Sequence, residues 1–170
     1  MKNTVRILFA AMLVAGLGAC AKKAVKPAPA PEPAPVAEPA PMTDTGKYKV
    51  GDLDTDSCLR QRVIYFDLDR TEIKPEFQAQ VACHAEYLRQ FPNARVTLEG
   101  HADERGTREY NLGLGERRGN AVAGALSAAG ASSGQLTVVS YGEERPVDRG
   151  HDESAWSKNR RVEIVYTSAN

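Results

Sequence analysis

Seven of the chain's ten prolines fall between Pro27 and Pro41, and 14 of the 21 residues from 21 to 41 are Ala or Pro. Proline fixes φ and has no N–H to donate, so neither helix nor sheet propagates through such a stretch. This feature divides the chain. A packed core is expected after it, where strand and helix patterns alternate. Alternating Ala-Pro favours polyproline II, at about 3.1 Å per residue. The segment from Pro27 to Pro41 then spans on the order of 45 Å and acts as a spacer. Residues 42–56 are polar and read as loosely ordered, which puts the domain boundary near Ser57. Roughly 110 residues remain, enough for one domain with a real core.

The segment before the spacer reads as an address. Lys2 and Arg6 make a positive start, and the 11 residues Ile7 to Leu17 are apolar. That is the length of a signal-peptide core and too short to span a bilayer. Leu17-Gly18-Ala19-Cys20 comes next, and it resembles a bacterial lipobox. The resemblance implies a signal peptide over 1–19 and an acylated Cys20. It also implies an outer-membrane anchor, because Ala21 rather than Asp stands after the cysteine. Several acyl chains hold a protein to a membrane where one does not. An ordinary cleavage site with an incidental cysteine is the alternative.

Beyond Ser57 the pattern alternates between strand and helix. Arg62 to Phe66 is β-branched and aromatic, as in a strand. Pro75 suits a first helical turn, and Phe77, Val81, His84, Ala85 and Leu88 then recur at helical spacing. Arg95 to Glu99 alternates polar and apolar, as a strand with one wet face does. A long helix is expected from an N-cap at Thr107 to Ala129, closed by Gly130. Leu136 to Tyr141 is a third strand, Asp152 caps a short helix through Trp156, and Arg161 to Tyr166 is a fourth strand. The order βαβαβαβ predicts an α/β (α+β) sandwich: a small mixed sheet with helices on one face, over residues 57–168.

Charge excludes one class of function. Lys plus Arg is 22 and Asp plus Glu is 22. Residues 57–168 carry 15 basic and 16 acidic side chains. Nucleic-acid binding needs a basic surplus that is absent here. A secreted domain keeps its cysteines in an oxidising compartment, so Cys58 and Cys83 are expected to pair. Two separately buried thiols are the other possibility.

The segment Gly100 to Thr107 leaves a strand and enters the long helix, where open α/β sheets form ligand crevices. Asp103 stands just ahead of that helix. Asn111 and Arg118 are seven residues apart, and seven steps of about 100° return within roughly 20°. They share one face, and an arginine leaning toward the helix start reaches toward Asp103. Gly113, Gly115 and Gly119 strip side chains from this helix, which signals close approach of packed backbone or of a ligand. A carboxylate and a guanidinium facing one cleft suit a zwitterion: the fork holds its carboxylate and Asp accepts from its ammonium. A direct Asp103–Arg118 ion pair is the plainer alternative.

Gly100-His101-Ala102-Asp103-Glu104-Arg105-Gly106-Thr107, Tyr110-Asn111, Leu114-Gly115-Glu116-Arg117-Arg118, Ser140-Tyr141-Gly142 and Ser157-Lys158-Asn159-Arg160-Arg161 resemble the OmpA-like peptidoglycan-binding domain. More narrowly they resemble the peptidoglycan-associated lipoproteins of the Tol–Pal system. The likeness covers nearly all of residues 62–166. It implies noncovalent binding of the meso-diaminopimelate of peptidoglycan stem peptides, with Asp103 and Arg118 on its ammonium and carboxylate. It also implies a Phe66-Asp67 turn lining the groove, with Asn111 and Arg160 as further contacts. The implied partners are peptidoglycan, TolB and other Tol proteins, and the implied role is in envelope integrity and cell division. Gly119 departs from the family's usual Ala and is expected to loosen the helix; Arg108 departs from a common Pro.

Catalysis is the competing class. A zinc hydrolase needs about three ligands close together, yet His84, His101 and His151 show no HExxH-like spacing. His84 lies on an apolar helix face. No Gly-x-Ser-x-Gly occurs, and adjacent carboxylates such as Asp103 and Glu104 diverge in a loop. No metal or cofactor is expected. A lipoprotein that binds only proteins is the third reading.

Overall fold

The structure is a computed structural model that describes residues 46–170. The expected signal peptide, Cys20 and the Ala/Pro spacer lie outside the described residues. The chain forms β1 (Val63–Tyr65), α1 (Gln78–Gln90), β2 (Arg95–His101), α2 (Arg108–Ala128), β3 (Leu136–Gly142), α3 (Glu153–Asn159) and β4 (Arg161–Ser168). The sheet order is β1-β4-β2-β3. β4 is antiparallel to both neighbours, and β2 pairs parallel with β3. The sheet is therefore mixed, as the strand and helix order implied.

Local chemistry sets the ends of these elements. Thr107 caps α2 by accepting from the Tyr110 amide at 3.2 Å. Gly130 stops it with φ +107°, a left-handed conformation that glycine adopts without strain. Asp152 caps α3 by accepting from the Ala155 amide at 3.1 Å. Val96 and Leu98 of β2 and Val162 and Ile164 of β4 alternate on the buried face. They share one core with Val81, Ala85 and Leu88 of α1 and Val122 and Leu126 of α2. His84 is a core residue, bonded to the Tyr166 hydroxyl at 2.9 Å and the Gln61 carbonyl at 3.0 Å.

The core begins upstream of Ser57. Tyr48 and Leu53 are buried in it, around a 3-10 turn over Val50–Leu53. The Gln90 side chain bonds both the N–H and the C=O of Tyr48. Met42, Tyr48, Val50 and Leu53 are scattered in a polar stretch without a sustained period, which is why this segment reads as loosely ordered. Cys58 and Cys83 are joined in a disulfide, tying the segment to α1.

Gly115 and Gly119 of α2 mark close packing on the sheet. A Cβ on Gly100 of β2 would stand 1.9 Å from the Gly115 carbonyl oxygen. Helix and strand touch there with nothing between them. Gly119 does not loosen the helix: a Cβ there would meet Val138 Cγ1 at 2.6 Å, so the position is filled by β3.

Candidate functional site

β2 ends in an irregularity between Gly100 and His101. A register shift of this kind bends a strand and re-aims the residues beyond it. The Ala102 amide bonds the Gly142 carbonyl at 2.8 Å, and the loop 103–107 then turns into α2. Asp103 accepts from the Arg105 amide at 3.1 Å, which tightens that turn. Gly106 closes it with φ +110°.

Opposite this loop lies the turn after β1. The Arg70 amide bonds the Asp67 carbonyl at 3.2 Å, and Asp69 sits at φ +56°, a conformation Asp tolerates better than most residues. Between turn, loop and α2 is a pocket of about 380 Å³. Its lining includes Leu68, Asp69, Asp103, Arg105, Tyr110, Asn111, Arg118 and Arg160.

Asp103 and Arg118 thus face one hollow, but they are not paired with each other. Asp103 is held by Arg105, through Nε at 3.1 Å and Nη2 at 2.7 Å, and by Arg160 Nη1 at 3.2 Å. Burial alone would raise its pKa; the hydrogen bonds from Arg105 and Arg160 more than offset this and hold it below the usual carboxylate range. Arg118 is fully buried at the pocket floor. Its three nitrogens donate to the carbonyls of Arg70 at 2.9 Å, His101 at 2.9 Å and Asp67 at 3.0 Å. Its guanidinium carbon lies 5.3 Å from the centre of the Phe66 ring. Among the described residues no carboxylate forms an ion pair with it. Burial and the neighbouring Arg160 charge push its pKa down to about 10, which still leaves it cationic at neutral pH.

The other expected residues divide by role. Asn111 lines the pocket and donates to the Arg105 carbonyl at 3.1 Å and to Glu143. Arg160 lines it too, with Nε on the Phe66 carbonyl at 3.1 Å. Phe66 and Asp67 act through their backbones, as acceptors for the two buried arginines; the Asp67 carboxylate instead faces Lys74 at 3.5 Å. The turn contributes Leu68 and Asp69 to the pocket in their place. Leu68 is exposed, and the Tyr110 hydroxyl donates to Asp69. The half-buried Arg105 is the accessible guanidinium, stacked 4.1 Å from the centre of the Trp156 ring. The signal for Asp69 was the Asp-Leu-Asp-Arg turn sequence after a strand; for Arg105 it was proximity to Asp103. Both oxygens of Glu104 accept from His151, and one also accepts from Trp156 Nε1 at 2.9 Å, turned away from Asp103. Among the described residues no group of His, Cys, Asp and Glu is arranged to hold a metal ion.

The OmpA family model matches residues 65–160. The peptidoglycan-associated lipoprotein of Haemophilus influenzae is 47% identical over 121 residues, 71% of this chain and 76% of the relative. That of Pseudomonas aeruginosa is 50% identical over 115 residues, 67% and 68%. The crystal structure of the peptidoglycan-associated lipoprotein from Burkholderia pseudomallei superposes with a TM-score of 0.65 at 45% identity, covering 66% of this chain and 96% of that one. The chain belongs to the OmpA family and, within it, to the peptidoglycan-associated lipoproteins.

Proposed function

We propose that residues 57–168, with the upstream segment that packs on them, bind peptidoglycan noncovalently through the zwitterionic end of meso-diaminopimelate in its stem peptides. One observation carries the reading: a single pocket is lined by the carboxylates of Asp69 and Asp103 and by three arginines. Both signs in one hollow match an amino acid that presents ammonium and carboxylate together. Asp69 offers an acceptor for the ammonium, and Asp103, whose acceptor sites are filled by Arg105 and Arg160, adds negative charge beside it. Arg105 offers exposed donors for the carboxylate, and Arg118 adds positive charge from the floor. Two of the five guanidinium N–H groups of Arg118 are not used by the three carbonyls. The relatives' name points the same way, since it records association with peptidoglycan. The activity is binding, and no catalytic step belongs to it.

The same reading gives the rest of the chain its place. Residues 1–19 are a signal peptide, Cys20 carries the acyl anchor in the outer membrane, and the Ala/Pro spacer lets the periplasmic domain reach the wall. TolB and other Tol proteins are the protein partners, in envelope integrity and cell division. The test is co-sedimentation with purified sacculi. Wild type should be retained; Asp103→Asn and Asp69→Asn should be lost while circular dichroism stays unchanged. Retention of both folded variants overturns the site.

A further inference from the structure

The pocket and the point where the spacer joins the domain lie at opposite ends of the sheet. β1, β2 and β3 run the same way, because β1 and β2 are both antiparallel to β4 and β3 is parallel to β2. The residues that follow the C-terminal ends of β1 and β2 line the pocket. The upstream chain enters at the other end. Tyr48 is fastened to Gln90 at the close of α1, its N–H 2.9 Å from Oε1. Tyr87, beside the Tyr48 ring, donates to the Ala169 carbonyl at 2.7 Å, just past the end of β4. β2 alone separates the two ends by roughly 23 Å at about 3.3 Å per residue. With the membrane held through the spacer and the wall held in the pocket, tension runs lengthwise through the domain.

The covalent path of that tension leads to the site. From Gly46 the chain passes Cys58, then β1, then the turn 66–70. Carbonyls of that turn hold both buried arginines: Phe66 accepts from Arg160, and Asp67 and Arg70 accept from Arg118. β1 is three residues long and pairs only with β4. A pull travelling along the backbone strips β1 and then undoes the support of the arginines. The disulfide lies just ahead of this stretch. It joins Cys58 to Cys83, midway along α1, whose Val81, Ala85 and Leu88 sit in the core.

We propose that the Cys58–Cys83 bridge is a tension shunt. It passes load from the spacer into α1 and keeps β1 and the arginine-supporting turn out of the load path. Reduction removes the shunt and exposes the binding site to the pull. The need for a shunt rests on the function proposed above, but the route of the load is a property of the fold.

The experiment is optical trapping of the full chain, with one handle on the N-terminus and one on exposed Glu109 in the first turn of α2. With the bridge closed, peeling from Gly46 stops at Cys58, a first extension of at most about 43 Å at 3.6 Å per residue. With the bridge reduced in the trap, peeling runs on to Arg70, and the first extension grows to about 86 Å. In a second arm, protein bound to sacculi is held at constant load. Zero-load retention is the same in both forms, and bound lifetime under load falls on reduction. The Cys58→Ser/Cys83→Ser double variant should behave as the reduced form; in-trap reduction of folded protein makes the same comparison without depending on refolding. Equal first extensions, or a loaded lifetime indifferent to reduction, overturn the shunt. Absence of sacculus binding at zero load overturns the proposed function instead, while the handle-to-handle extensions still judge the shunt.

Discussion

Arg160 Nη1 lies 3.2 Å from Asp103 Oδ2, whereas Arg118, the arginine that helix periodicity aims at the same carboxylate, donates to three backbone carbonyls. The two buried arginines therefore divide the work. Arg160 fixes the acid of the pocket. Arg118 ties the turn after β1 to the end of β2 and gives the pocket its floor.

Removing Arg118 should cost stability before it costs binding. Arg118→Ala leaves the buried His101 carbonyl without a donor, at a cost of about 1–3 kcal/mol, and hands the part-buried Arg70 and Asp67 carbonyls to water at a smaller cost. A drop of about 2–4 kcal/mol in urea-unfolding free energy is expected. Arg118→Lys keeps the charge but not the planar fork, so its loss should be smaller yet measurable. An Arg118→Ala variant within about 1 kcal/mol of wild type, on the order of a single hydrogen bond, would contradict the floor role.

Asp103→Asn separates charge from shape. An amide oxygen in the place of Oδ2 still accepts from both arginines but carries no charge, and an NH₂ in the place of Oδ1 turns donors toward the Arg105 amide and Nε. Stability should fall by about 1.5–3 kcal/mol, the range for hydrogen bonds to charged groups. The folded carboxyl lies below its unfolded value. Its stabilisation is then complete above the unfolded pKa of about 3.9 and fades as pH falls through the folded one. The difference between wild type and variant, measured by urea titration, should stay flat from neutral pH to about pH 5 and shrink below that.

His101 governs the milder acid range. It is 1% exposed, neither ring nitrogen has a partner, and its ring stacks on Tyr141. Burial pushes its pKa down to about 4; Arg161 and Arg145 push the same way, against Glu163 3.9 Å away. The unfolded chain therefore binds more protons between about pH 6.5 and pH 4. Stability is full above the unfolded value and declines as pH falls toward 4, by on the order of 3 kcal/mol at about 1.4 kcal/mol per unit. Burial also lowers the pKa of His84, which adds to the same slope. His101→Phe should be neutral or stabilising at pH 7 and should flatten part of the acid limb. A pH–stability curve identical to wild type would refute the assignment.

Breaking the Cys58–Cys83 bond should destabilise the domain by roughly 3–4 kcal/mol in the chain-entropy description of a loop this size. Thiol titration of the native protein should find neither cysteine free. Urea midpoints with and without reductant give the size of the effect.

Much of this was legible in the sequence because its signals are local. Thr107, Gly130 and Asp152 announce helix ends through their own hydrogen bonds and φ preferences, and the structure places all three as read. The strand-to-helix segment around Asp103 also falls where a crevice was expected. The partners of Arg118 were not legible. Spacing gives the direction of a side chain, but backbone carbonyls 17, 48 and 51 residues away leave no mark in a residue pattern. Asp69 was missed for a related reason: the Asp-Leu-Asp-Arg sequence signals a turn, but that the turn faces α2 and the loop after β2 depends on residues far along the chain. Tyr48 was missed because its partner Gln90 is 42 residues away.

The glycines of α2 give a last, opposed pair of outcomes. A Cβ on Gly124 meets nothing within 4 Å, so Gly124→Ala gains helix propensity at no packing cost. It should stabilise the protein by about 1 kcal/mol. A Cβ on Gly115 would come 2.4 Å from Ser140 Oγ and 2.8 Å from the Gly100 carbonyl oxygen. Backbone cannot yield as a side-chain tip does, so Gly115→Ala should destabilise by about 1–3 kcal/mol or more despite the same gain in propensity. Because Gly100 and Gly115 set how closely α2 lies on β2, this variant should also shift Arg118 against the pocket and weaken sacculus retention, whereas Gly124→Ala leaves retention unchanged. Thermal unfolding and co-sedimentation of the two variants side by side check both halves; equal effects of the two substitutions would show that α2 does not rest on the sheet at this point.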